Sequence, residues 1–261
     1  MQNRSRCGFV EAASRQKEGK DGMIISASRR TDIPACYGQW MMARLRAGEV
    51  LVPNPYNASR ISRVALSPGN VDCIVFWTKN AAPMLPLLDE LDALGYKYYF
   101  EYTVTGYGSA LEPGLPEKER TVDTFLRLSE RLGPEGVDWR FDPVLLTSSI
   151  TPAWQLERFG ALCCALHGAT RRCVFSFADP YPGIRPSIAP LEETQMRLLA
   201  KGFADIAGEY GLPLYTCAEA VELSEYGIRH AACIDSAKVE RIAARWKKST
   251  VITGFTFPTG I

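Results

Sequence analysis

Short apolar, β-branched and aromatic runs recur along the chain. They begin at Ile24 (IISAS), Cys73 (CIVFWT), Lys97 (KYYFEYTVT), Val137 (VDWRF), Cys173 (CVFSF) and Leu212 (LPLYTC). Each is short and bounded by turn residues, the signature of a buried strand. Helical spacing fills the gaps between them. Met196, Leu199, Phe203, Ile206 and Tyr210 fall on one face of a helix, and Val122, Phe125, Leu126 and Leu132 form a similar stripe. Gly95, Gly133, Gly168 and Gly211 follow helical segments, where glycine tolerates the left-handed turn that ends a helix. Thr151-Pro152 reads as an N-cap followed by proline in the first helical turn.

Repeated strand–helix–strand units give parallel strands joined by right-handed crossovers. The rhythm predicts an α/β fold, a (β/α) barrel or partial TIM-like barrel of at least six parallel strands. An open doubly wound sheet is the alternative. One segment interrupts the rhythm. Residues 50–66 (VLVPNPYNASRISRVAL) read as an inserted β-hairpin turning at NPYNAS. Residues 1–22 are polar and aperiodic and are expected to form a disordered extension. The barrel domain is expected over 23–246, and 247–261 form an atypical tail.

The polar residues at the strand ends carry the chemistry. In parallel α/β folds, ligands bind beyond the C-terminal ends of the strands. Arg29, Arg30 and Asp32 follow the first run and Lys79 the second; Asp179 and Glu219 follow the fifth and sixth. Adjacent arginines suit a carboxylate or phosphate. Alternation places Glu101, Arg140 and Asp142 on the face opposite Trp139 and Phe141. The apolar face should meet the helices, so those charges should point inward, where a buried charge needs a partner. Glu101 and Arg140 are therefore expected to pair. Glu101, Arg140 and Asp142 are the candidate catalytic residues. Arg29, Arg30, Asp32, Lys79, Asp179 and Glu219 are the candidate ligand contacts.

Composition narrows the classes. The 261 residues carry 30 Lys+Arg and 29 Asp+Glu, a net charge of +1, which lends no support to a nucleic-acid partner. No apolar run approaches the roughly 18 residues of a membrane span. The eight Cys include no CxxC pair and follow no secretory signal, so reduced thiols in a cytoplasm are expected. The two histidines do not complete a metal set: His167 reads as structural, and His230 near Cys233 is under-supplied with ligands.

The motifs SASRRTDIPA (26–35), NPYN (54–57), SRVALSP (62–68), VDCIVFWTKN (71–80), TVTGYG (103–108), WRFDPVLLT (139–147), RCVFSF (172–177) and TCAE…LSEYGI (216–228) occur in this order. Together they resemble a bacterial family, domain of unknown function 1848, over roughly 23–246. The resemblance implies a relative of radical S-adenosylmethionine enzymes. An intact member is expected to use a [4Fe–4S] cluster and S-adenosylmethionine through a C-terminal cysteine cluster. CxxxCxxC spacing is absent here, and Cys217 and Cys233 supply at best two thiolates. The sequence thus implies either a truncated member or one that works without the cluster, and no cofactor is expected in the chain as given. Three readings stand: a radical-enzyme-like scaffold with a polar anion-binding pocket; a cluster-free lyase or hydrolase acting on a phosphate- or carboxylate-bearing small molecule; and a non-catalytic binding protein or inactive fragment.

Overall fold

A computed structural model describes residues 13–17, 20–28, 31–54, 56–178 and 190–249. Its main sheet has eight strands: β1 (Ala13–Lys17), β2 (Lys20–Ala27), β5 (Val71–Thr78), β6 (Tyr98–Thr103), β7 (Val137–Val144), β8 (Cys173–Phe177), β9 (Leu214–Cys217) and β10 (Arg229–Ala231). They lie side by side in that order. β1 pairs antiparallel with β2, and every other pairing is parallel. The strand order never reverses. Right-handed crossovers in one direction put every connecting helix on the same face, which curls the sheet into a half-barrel and excludes the doubly wound alternative.

Six of the seven parallel strands coincide with the apolar runs. The seventh, β10, is three residues long and its sequence, RHA, has no apolar pattern. It forms because β9 offers it an open edge. β1 and the start of β2 fall within the extension expected to be disordered; a strand there needs only backbone pairing with β2, which composition does not register. Residues 1–12 lie outside the described residues.

The helices obey their sequence signals. α1 (Ile33–Cys36) and α2 (Gly38–Ala47) follow β2, and α3 (Leu88–Ala93) follows β5 after a 3₁₀ turn at Ala82–Leu87. α4 (Lys118–Leu132), α5 (Pro152–Ala165) and α6 (Glu193–Glu209) follow β6, β7 and β8. The Thr151 side chain accepts from Trp154 N at 3.2 Å, as its N-cap role requires. Gly95, Gly133, Gly168 and Gly211 all have positive φ. One member of the expected stripe on α4 is misplaced, since Leu126 is exposed and Leu128, two positions on, fills the core. The inserted hairpin is present as β3 (Glu49–Asn54) and β4 (Asn57–Ala65), a sheet of its own.

The two faces of the main sheet differ sharply. Its outer face presents Ile25, Ile74, Phe76, Phe100, Trp139, Phe141 and Phe175 to the helices. Aromatic rings interlock there, with Phe159 of α5 stacked on Trp139 at 5.2 Å and on Phe203 of α6 at 4.5 Å. On the inner face, Ile24, Cys73, Val75 and Tyr99 meet Val239 and Ile242 of α7 (Ser236–Ser249). The last described helix therefore packs inside the curl of the sheet, against the face of these strands that the other described helices leave open.

Candidate functional site

The inner face of β6 and β7 is charged. Register pairs Glu101 with Asp138 and Thr103 with Arg140. Arg140 reaches Glu101 Oε2 from Nη1 at 3.4 Å and Asp142 Oδ2 from Nη2 at 2.8 Å, so the expected pair exists. Its guanidinium also lies 4.9 Å from the Trp77 ring centroid, and Trp77 Nε1 donates to Ser26 Oγ at 3.1 Å. Burial works against the charge on Arg140, but Asp142 and Glu101 outweigh it and keep the guanidinium protonated.

Below this group sits a second layer. Arg172 contacts Asp138 at 2.6 Å, Glu101 at 3.6 Å and Asp235 at 3.0 Å, and Lys238 Nζ lies 2.5 Å from Asp138 Oδ1. Lys238 also stands 4.3 Å over the Tyr99 ring. Asp235 accepts from Lys238 N at 3.1 Å and so caps α7. These contacts fasten α7 to the sheet. Glu101 is 1% exposed. Burial and then the neighbouring Asp138 raise its pKa to about 7, against the pull of Arg140, Lys238 and Arg172.

The upper layer opens to solvent. The Asp142 side chain is 25% exposed. Its Oδ1 accepts a short hydrogen bond from Ser176 Oγ on β8. Cys217 ends β9, and its Sγ lies 3.3 Å from Cys233 Sγ, just past β10. The Cys217 pKa falls to about 6; the hydrogen bond from Cys233 is the main cause, burial opposes it, and Arg140 assists. Glu219 accepts from Phe177 N at 2.8 Å and ties the exit of β9 to the end of β8.

The other candidates divide. Asp32 caps α1 by accepting from Ala35 N at 3.0 Å. Its second oxygen accepts from Thr78 Oγ1 at 2.9 Å and Lys79 N at 2.7 Å. That carboxylate is used up in joining the ends of β2 and β5. Lys79 Nζ pairs with Glu112 at 2.5 Å, and Glu112 also accepts from Thr105 and Lys118. Arg29, Arg30 and Asp179 lie outside the described residues. His167 stacks on Tyr210, and His230 Nδ1 meets Thr216 Oγ1 at 3.0 Å.

Sequence reasoning passed over Asp138, Arg172, Asp235 and Lys238. Asp138 was within reach, because it continues the inward period of Arg140 and Asp142. Lys238 had no signal: its helix is far along the chain, and only the tertiary fold brings it inside.

Among the described residues no group of three or more His, Cys, Asp or Glu is arranged to hold a metal. Among the described residues, the Cys217–Cys233 pair does not supply the three thiolates that a radical-enzyme cluster needs, so they do not fit that group. No described helix is long and apolar enough to cross a membrane.

A family model described as "Domain of unknown function (DUF1848)" matches residues 24–252. A search of curated proteins finds no match. Among solved structures, a triazine hydrolase variant is 13% identical with a TM-score of 0.36, covering 69% of this chain and 43% of its own. This chain thus spans less than half the length of that protein. An HpcH/HpaI aldolase from Desulfitobacterium hafniense DCB-2 is 12% identical with a TM-score of 0.28, covering 83% of this chain and 99% of its own. A putative alpha-L-fucosidase from Bacteroides thetaiotaomicron is 10% identical with a TM-score of 0.27, covering 72% and 74%.

Proposed function

The chain belongs to the DUF1848 family, and from the geometry of its half-barrel we propose that it binds a small carboxylate- or phosphate-bearing molecule at the C-terminal mouth of the strands and acts on it without an iron–sulfur cluster. One observation carries this reading. Asp142 stands at the mouth with one oxygen fixed by Arg140 and the other by Ser176. A carboxylate fixed in orientation and open to solvent is suited to general-base work.

The roles follow from depth. Glu101 is too buried to touch a ligand, so Glu101 and Arg140 position Asp142. Each guanidinium nitrogen of Arg140 already donates to Glu101 or Asp142, so Arg140 holds Asp142 rather than clamping an incoming anion. Arg29 and Arg30, which directly follow Ser28 at the end of β2 in sequence, take that part. Lys79 and Glu219 complete the polar rim, and Asp179, two residues after the end of β8 in sequence, is proposed as a further contact. A cytoplasmic location is part of this proposal, since the cysteine usage suits reduced thiols.

Thermal melts in inorganic phosphate and in oxalate test the reading. Wild type should gain several degrees with at least one of them, and an Arg29→Ala/Arg30→Ala double variant should need at least about tenfold more ligand for the same gain, a loss of about 1.4 kcal/mol. A wild-type melt that neither anion moves would overturn it.

A further inference from the structure

The mouth holds a second arrangement that anion binding does not use. Cys217 ends β9 and Cys233 lies in the bend just past the adjacent β10, and both are half-buried. Register pairs Cys217 with Ala231, two residues before Cys233, and the bend after β10 brings the Cys233 sulfur back to Cys217. The sulfurs stand 3.3 Å apart in hydrogen-bond contact, and a disulfide needs them at roughly 2.05 Å.

The surroundings favour reaction at one sulfur. Arg140 bears on Cys217 and stabilises its thiolate, while Asp142 opposes it weakly. Three other thiols behave differently. Burial pushes Cys73 and Cys163 up to about 12, and Cys173 well above its ordinary range, which leaves them inert. Ala218, the next residue after Cys217, holds a φ of +59°, so the chain turns sharply away and leaves the sulfur facing the mouth.

We infer that Cys217 and Cys233 form a reversible thiol–disulfide centre, with Cys217 as the attacking thiolate and Cys233 as the resolving thiol, acting on small-molecule disulfides. The Cys217 thiolate attacks one sulfur of the small disulfide. A mixed disulfide forms, the old S–S bond breaks, and one small thiolate leaves. Cys233 gives its proton to solvent and attacks Cys217 Sγ. The Cys217–Cys233 bond forms and the second small thiolate leaves. The protein loses two electrons, and the small disulfide gains them and becomes two thiols. Such a bond in a reducing compartment is transient, formed when the thiol pool is oxidised.

Oxidised glutathione is the probe, with the full chain and peptide mass mapping. Wild type should lose two hydrogens within a linked Cys217/Cys233 peptide pair, and dithiothreitol should restore them. Cys233→Ser should stop at a glutathione adduct on Cys217, and Cys217→Ser should leave Cys233 unmodified. Wild type alone supplies an independent readout, because iodoacetamide should label Cys217 with a midpoint near pH 6 and ahead of the exposed Cys36 and Cys164. Oxidation confined to Cys36 and Cys164, or Cys217 labelling only above pH 8, would overturn the inference. So would a stable two-thiolate complex when the reduced protein is titrated with zinc, if that protein then resisted glutathione. None of these readouts depends on phosphate or oxalate binding.

Discussion

At the scale of single residues, depth within the half-barrel decides what each charge does. Glu101 is the clearest case. Its pKa rises from an ordinary 4.5 to about 7 in the fold, so the native state holds a proton that the unfolded chain has already released. The contribution of Glu101 to stability is therefore fully present below about pH 4.5 and is lost as pH rises through about 7, opposite in sign to that of Glu112 and Asp235, whose pKa values are lowered. Urea titrations at several pH values should show this slope in wild type and lose most of it in Glu101→Gln. Asp32 is the opposite case, a charged residue near the mouth spent on structure. Asp32→Ala removes the α1 cap and leaves Thr78 Oγ1 and Lys79 N without their acceptor, so it should cost about 2–3 kcal/mol in urea unfolding. Asp32→Asn, which keeps an acceptor oxygen, should cost less than half of that.

Among the elements, α7 is the one whose position has the largest consequence. The other helices cover the outer face with apolar stripes. α7 enters the inner face and brings Lys238 to Asp138 and the Asp235 cap to Arg172. Lys238 is 3% exposed, so its ion pair is a buried one whose halves depend on each other. Lys238→Met leaves Asp138 with Arg172 alone and should destabilise by about 3 kcal/mol. The double variant Asp138→Asn/Lys238→Met should recover part of that loss. A double-mutant cycle by chemical denaturation reads this coupling directly, and additive losses would show that the pair does not hold α7.

For the molecule as a whole, the unbroken strand order is what makes a site possible. Because no strand reverses the order, every crossover helix lies outside, and the inner face is left to α7 and to the charged layers of Glu101, Asp138, Arg140 and Arg172. The β3–β4 hairpin stands apart from this arrangement. It pairs with no strand of the main sheet among the described residues, and Leu51, Tyr56 and Ile61 on it are exposed. Excising residues 51–63 and joining Val50 to Val64 with a short glycine-serine link should change stability by less than about 1 kcal/mol, since loop-closure entropy varies slowly with length. Thermal unfolding and the Cys217 labelling profile of the excised chain should match those of wild type.

The pattern of the chain alone determined six strands, the α6 stripe and most of the α4 stripe, the Thr151 cap and the glycine stops, the inserted hairpin, and the inward aim of Glu101, Arg140 and Asp142. Those features follow from local alternation and turn chemistry, which act over a few residues and leave a direct mark on sequence. Only the tertiary structure decided that the sheet curls rather than opens, that Asp32 is consumed by the ends of β2 and β5, and that Lys238 and Asp235 lie beneath the mouth. It also decided that Cys217 and Cys233, sixteen residues apart, bring their sulfurs together. Each of these depends on contacts between segments distant along the chain, and no local periodicity encodes which distant partner will satisfy a buried charge or a thiol.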